Sequence, residues 1–145
     1  MGIWGLTDIV YIQGTIDGLL YCDVLKEGVL PYIQKYNLNL EELLLLEDHD
    51  KKHTCNVATQ WKDRRGVHVM EWPGWSPDLN PIENLWSMMK PKVKARNSTS
   101  AQELKDSILE VWQELDQEDL MENIIRTMPD RIRKVIEAKG DRIPY

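Results

Sequence analysis

Apolar and polar positions along this 145-residue chain change their period several times. Residues 8–13 (Asp8-Ile9-Val10-Tyr11-Ile12-Gln13) are β-branched and aromatic and stop at Gly14, which predicts a short strand. Residues 17–36 carry Leu20, Val24 and Val29 at helical spacing, and Gly28 and Pro31 predict that this helix ends or bends there. Leu43-Leu44-Leu45-Leu46 is an unbroken apolar run followed at once by acids. Its length predicts a buried strand, although leucine itself favours helix. Residues 53–65 place Val57, Ala58 and Trp61 on one helical face before Gly66, and residues 67–71 alternate as a strand does.

Pro73, Pro77 and Pro81 stiffen the next segment. Asn80 is a good N-cap and Pro81 a good first helical residue, so a helix is expected from there to about Lys94. Ser100 and Glu103 have capping-box spacing ahead of an apolar stripe of Leu104, Ile108, Trp112 and Leu115. A short helix is expected over residues 120–126. Pro129 opens a last one, with Ile132, Val135 and Ile136 inward and Gly140 as its stop. Strand and helix alternating, then several helices, predicts an α/β layered fold.

Composition narrows the class. The length suits one domain able to bury most of its apolar surface, and 42% hydrophobic with 29% charged residues describes a soluble globular chain. No apolar run approaches the roughly 20 residues of a membrane span, and no signal peptide is visible. Cys22 and Cys55 form neither a metal-ligand spacing nor a disulfide framework, so a reducing compartment fits best. A net charge of −6 disfavours a free-standing nucleic-acid binder. The cations nonetheless cluster, as Lys51, Lys52, Lys62, Arg64 and Arg65 and again as Lys90, Lys92, Lys94 and Arg96, and a solvated helix face explains each cluster most simply.

Candidate chemistry centres on Asp48 and Glu83, with 34 residues between them. Asp48 follows a predicted strand, where ligands of open α/β sheets bind. Glu83 is the third helical residue after Asn80. Two such carboxylates suit Mg²⁺ or Mn²⁺, which prefer oxygen ligands. The structural alternatives are a capping-box role for Glu83 and a turn role for Asp48. Asp50 reads as a turn residue or an acid behind the ligands. His53 reads as a helix cap or a phosphate contact. Asp78 reads as an Asx-type turn residue rather than a ligand, and Asn80 as the cap. Trp61, Trp72, Trp86 and Trp112 read as core; Trp75, in the proline loop, is the aromatic expected to touch a partner.

The run Ser76-Pro77-Asp78-Leu79-Asn80-Pro81-Ile82-Glu83-Asn84-Leu85-Trp86 resembles the signature of mariner-superfamily DDE transposases. So does Glu47-Asp48-His49-Asp50-Lys51-Lys52-His53-Thr54, with the 34-residue spacing of one major branch. Trp72-Pro73, Met128-Pro129-Asp130-Arg131, and Val135-Ile136-Glu137-Ala138-Lys139-Gly140 match further, so the resemblance covers nearly the whole chain. It implies a ribonuclease-H-like fold with a short, mostly parallel sheet flanked by helices. It implies cut-and-paste transposition by metal-dependent phosphodiester hydrolysis and strand transfer, with transposon-end DNA as partner and a nuclear location in a eukaryote. Asp48 and Glu83 become the second and third acids of a triad that holds Mg²⁺ or Mn²⁺. His49, Lys51 and Trp75 depart from the family pattern beside the acids, not at them.

The family's first catalytic Asp lies on a strand upstream of residues 8–13, behind helix-turn-helix DNA-binding modules. Asp8, Asp17 and Asp23 are the only acids before Lys26, and none sits in a matching motif. The expectation is therefore a single partial catalytic domain over residues 1–145, with weak metal binding and little or no activity alone. Residues 8–13 are then expected to pair in parallel with residues 43–46, and residues 67–71 to form a third strand. The alternative is a non-enzymatic, domesticated interaction or dimerisation protein, pairing with itself or with full-length transposase. No membrane association is expected.

Overall fold

Asp17 starts the first long element: its Oδ1 accepts the Leu20 N–H at 2.9 Å. In the computed structural model, which describes all residues except Trp75, Gln117, Pro144, Tyr145 and the side chain of Glu118, helix α1 runs Gly18–Lys35. The break expected at Gly28–Pro31 does not occur. Tyr21, Leu25, Gly28 and Tyr32 make one buried stripe on α1. Each large apolar side chain there gains about 1.5–3 kcal/mol on burial, which together outweighs the roughly 3 kcal/mol cost of an interior proline.

The chain divides into two compact units. One comprises residues 7–75, the other residues 1–6 and 76–145. In the first, a 3-10 turn at Leu40–Glu42 leads into strand β1, Leu44–Leu45. Helices α2, Lys51–Thr54, and α3, Asn56–Arg65, follow, then strand β2, His68–Val69. β1 and β2 pair in parallel, Leu44 opposite His68 and Leu45 opposite Val69. The helix expected to be continuous from His53 is split by Cys55, whose backbone is extended. Left-handed Gly66 closes α3 at φ 67°. Ala58 and Lys62 face inward from α3, with Trp61 half-buried and Val57 exposed, so the buried stripe is rotated from the expected one. Tyr21, Cys22, Leu25 and Ala58 form this unit's core.

Residues 8–13 are not a strand, and β1 pairs with β2 instead of with them. The expected pairing is therefore wrong. Strand preference reflects fit to a pleated, half-buried surface. Here Tyr11 and Ile12 stay exposed, and Val10 lies near α1, 3.8 Å from where a Cβ on Gly28 would stand. A two-residue β1 offers little ladder to recruit a further strand.

In the second unit a 3-10 turn at Pro77–Leu79 leads into α4, Pro81–Ala95. Helices α5, Ala101–Leu115, α6, Glu118–Arg126, and α7, Met128–Glu137, follow. Leu6, Leu85, Val111, Leu115, Met121 and Ile124 form its core. Lys92 of α4 and Arg96 at its C-cap pair with Glu114 of α5. Ser100 Oγ caps α5 on the Glu103 N–H at 3.2 Å. The Glu103 carboxylate reaches back past Ser100 to the Thr99 N–H (2.7 Å) and hydroxyl (2.8 Å). The inward stripe of α5 is Ser107, Val111 and Leu115, leaving Leu104 exposed.

Helix α7 also turns a different face inward. Arg131 is buried, while Ile132 and Ile136 are 42% and 71% exposed. The cause is polar: Arg131 donates to the Asp78 carbonyl at 3.3 Å and to Thr127 Oγ1 at 2.8 Å, and these bonds fix the rotation of α7. Among the described residues no helix is long and apolar enough to cross a membrane.

Candidate functional site

The first motif begins where β1 ends. Glu47 keeps the inward side of Leu45, two residues before it, and only 7% of its side chain is exposed. Its Oε1 accepts from Lys62 Nζ, whose side chain is 6% exposed, and its Oε2 accepts from the Tyr21 hydroxyl at 2.5 Å. Lys62 also donates to the His53 carbonyl at 3.0 Å. Burial, and after it the bond to Glu47, pushes the Tyr21 hydroxyl well above the ordinary tyrosine range. Sequence reasoning missed this group. The available signal was spacing, since Glu47 lies two residues after Leu45 and Lys62 four after Ala58.

Asp48 points the other way, with 67% of its side chain exposed. Its Oδ1 accepts the Asp50 N–H at 3.1 Å and faces His53 Nδ1 at 2.7 Å. Asp50 caps α2 through the Lys52 N–H at 3.0 Å and meets Lys52 Nζ at 2.5 Å. The hydrogen bonds from Lys52, side chain first, hold the Asp50 carboxyl below its ordinary range. His53 lies inside α2 and turns to Asp48 and to the Tyr21 ring, 4.3 Å between centroids; it is not the cap of the next helix. Gly74 approaches the same turn: a Cβ there would stand 3.3 Å from His49 Nδ1.

The second motif is built by its cap. Asn80 Oδ1 accepts the Ile82 N–H at 3.3 Å, and Pro81 supplies a fixed φ at the first helical position. Glu83 is the third helical residue, and its N–H bonds the Asn80 carbonyl at 3.1 Å. The capping-box alternative is not realised, because the Asn80 N–H goes to the Pro77 carbonyl at 3.1 Å. Among the described residues the half-buried Glu83 side chain makes no hydrogen bond or ion pair, at a helix start that favours negative charge. Asp78 is buried, and its Oδ2 accepts the distant Ile143 N–H at 3.1 Å instead of making the expected Asx-type bond. Trp86, expected in the core, is 41% exposed, and Trp75 lies outside the described residues.

Asp48 thus lies in one compact unit and Glu83 in the other. Among the described residues no group of three His, Cys, Asp or Glu gathers to hold a metal. The basic clusters are partly spent internally: Lys62 on Glu47, Lys52 on Asp50, Arg65 over the Trp61 ring, and Lys92 and Arg96 on α5.

Residues 23–105, more than half the chain, match the family model described as DDE superfamily endonuclease. The Tcb1 transposase of the Caenorhabditis briggsae transposable element is 33% identical over 134 residues, covering 92% of this chain and 48% of that protein. The chain therefore spans about half the length of such relatives. A structure of the Mos1 transposase catalytic domain with raltegravir and Mn superposes with a TM-score of 0.78 at 18% identity, over 98% of this chain and 74% of that one. The Mos1 paired-end complex with left transposon end superposes with a TM-score of 0.77 at 18% identity, over 90% of this chain and 38% of that one. The short parallel sheet with its helices is accordingly the expected α/β, ribonuclease-H-like fold. By its family match and its relatives, this chain belongs to the DDE superfamily endonucleases, as part of a mariner/Tc1-type transposase catalytic domain.

Proposed function

We propose that the chain derives its role from cut-and-paste DNA transposition, with Asp48 and Glu83 as carboxylates that hold Mg²⁺ or Mn²⁺ and transposon-end DNA as the substrate. The observation that carries this reading is the state of the two acids. Asp48 commits one oxygen within its turn and leaves Oδ2 without a bond among the described residues, and Glu83 commits none. Both offer the hard oxygen donors these cations require.

A bound divalent ion would activate the attacking water or 3′-hydroxyl and stabilise the leaving oxygen of the phosphodiester. This chain's own contribution is positional. β1 and the Glu47 anchor fix where Asp48 leaves the sheet, while Asn80 and Pro81 fix the start of α4 and so the place of Glu83. Two carboxylates leave such an ion short of protein ligands, so the 145-residue chain assayed alone is expected to cut DNA weakly or not at all. The test is nicking of supercoiled plasmid with Mg²⁺ or Mn²⁺. Background-level nicking is expected; robust cleavage that disappears in Glu83→Ala would overturn the expectation of inactivity. Chromosomal DNA as substrate would place the chain in the nucleus of a eukaryotic cell.

One observation favours a second reading, a non-enzymatic dimerising or interaction protein derived from a transposase. Ile132 and Ile136 lie one helical turn apart on α7 and are exposed together. Sedimentation equilibrium distinguishes the two: a dimer disrupted by Ile136→Glu supports self-association, and a monomer at high micromolar concentration argues against it.

A further inference from the structure

We infer that a buried network of Tyr21, Glu47 and Lys62, acting through His53, positions the Asp48 carboxylate, and that Asp48 takes a divalent cation through Oδ2 alone. The second half rests on the reading of Asp48 as a metal ligand; the first half does not.

An aspartate this exposed ordinarily exchanges between staggered rotamers. Asp48 is held from two sides. The Asp50 N–H bonds Oδ1 at 3.1 Å, and His53 Nδ1 lies 2.7 Å from Oδ1 while its hydrogen bond runs to the Asp48 backbone carbonyl at 3.4 Å. Carboxylate and carbonyl oxygens only accept, so Nδ1 is the ring nitrogen that carries the proton, an assignment made from the partner's chemistry. Oδ1 is thereby occupied and Oδ2 remains open.

His53 is itself fixed. Its ring lies on Tyr21, with centroids 4.3 Å apart, and its carbonyl accepts from Lys62 at 3.0 Å. Lys62 is locked by Glu47, and Glu47 by the Tyr21 hydroxyl. Glu47 also precedes Asp48 in the chain. The same buried group therefore anchors the backbone just before Asp48 and the side chain that grips its carboxylate. Partners of this kind behind a ligating group typically contribute about 10- to 100-fold to metal affinity. Tyr21, Glu47, Lys62 and His53 are positioning residues here.

The test uses the whole 145-residue chain and two readouts. Without metal, the Hα–Hβ couplings of Asp48 measured by NMR are expected to report one rotamer in the unmodified chain and averaging in His53→Ala and Lys62→Met. His53→Asn, whose amide nitrogen can stand in for Nδ1, should restore the single rotamer. His53 is partly buried but carries no buried ion pair, so its variants keep the test open even where Lys62→Met fails to fold. With Mn²⁺ alone as probe, calorimetry is expected to show a site abolished by Asp48→Asn and weakened about tenfold or more by His53→Ala. A single Asp48 rotamer persisting in His53→Ala overturns the positioning. Asp48-dependent Mn²⁺ binding left unchanged by His53→Ala does so as well. Absence of any Asp48-dependent Mn²⁺ binding overturns the metal reading and the Oδ2 assignment, while the couplings still decide the positioning.

Discussion

Lys62→Met is the substitution with the largest expected effect on the first unit. The Lys62 and Glu47 side chains are only 6% and 7% exposed and make a direct ion pair. Methionine fills similar volume but removes the ammonium, leaving the Glu47 carboxylate buried with the Tyr21 hydroxyl as its remaining partner. Breaking a buried pair from one side costs about 3–5 kcal/mol, because one charge is left uncompensated. Removing both charges in Glu47→Leu/Lys62→Met leaves a neutral site, at a cost of about 1–3 kcal/mol for the orphaned Tyr21 hydroxyl. The double variant should therefore be more stable than Lys62→Met. Because the chain has two compact units, a single global transition is not assumed. Urea unfolding followed through NMR signals of α1 and α3 measures the right unit. A Lys62→Met cost below about 1 kcal/mol, typical of a surface pair, would refute the buried-pair account. So would a double variant less stable than the single.

Gly18→Ala should destabilise by about 1–3 kcal/mol through overpacking, because the new Cβ meets Cys55 Sγ at 2.3 Å; in a Cys55→Ala background thermal melts should show that cost removed. Asp78→Ala should cost about 1–3 kcal/mol by leaving the buried Ile143 N–H unpaired, read as faster amide exchange at Ile143 and in the second unit. Glu103 should titrate below an ordinary glutamate in carboxyl ¹³C NMR, because the Thr99 N–H and hydroxyl bond its ionised form. Its folded value is depressed, so its contribution is complete above the unfolded value and fades as pH falls through the folded one.

The parts of the fold legible from sequence are those set by local chemistry. Asn80 with Pro81 and Ser100 with Glu103 fix the starts of α4 and α5, because caps act within a turn of their own residues. The Leu43–Leu46 run is readable as a strand, although only Leu44 and Leu45 pair and Leu44 is exposed, against the expected burial. What stayed hidden depends on partners distant in the chain. Residues 8–13 look like a strand but lack a ladder, and Pro31 looks like a stop but sits in a helix held by its buried face. Arg131 displaced isoleucines from the inward face of α7 because its partner, the Asp78 carbonyl, is 53 residues away. At the candidate site, Asp48 and Glu83 were marked as candidates by their motifs. Glu47 and Lys62 were not, since a glutamate and a lysine read as surface residues until their mutual burial is seen.

Paramagnetic broadening by Mn²⁺ reads out at each residue whether Asp48 and Glu83 are carboxylates for a divalent cation. Substoichiometric Mn²⁺ added to the labelled 145-residue chain should bleach the carboxyl and backbone signals at Asp48 and at Glu83 ahead of other acids. Asp48→Asn and Glu83→Gln should each relieve the loss at the substituted position. Broadening spread evenly over the surface acids, and unchanged in both variants, would contradict the claim.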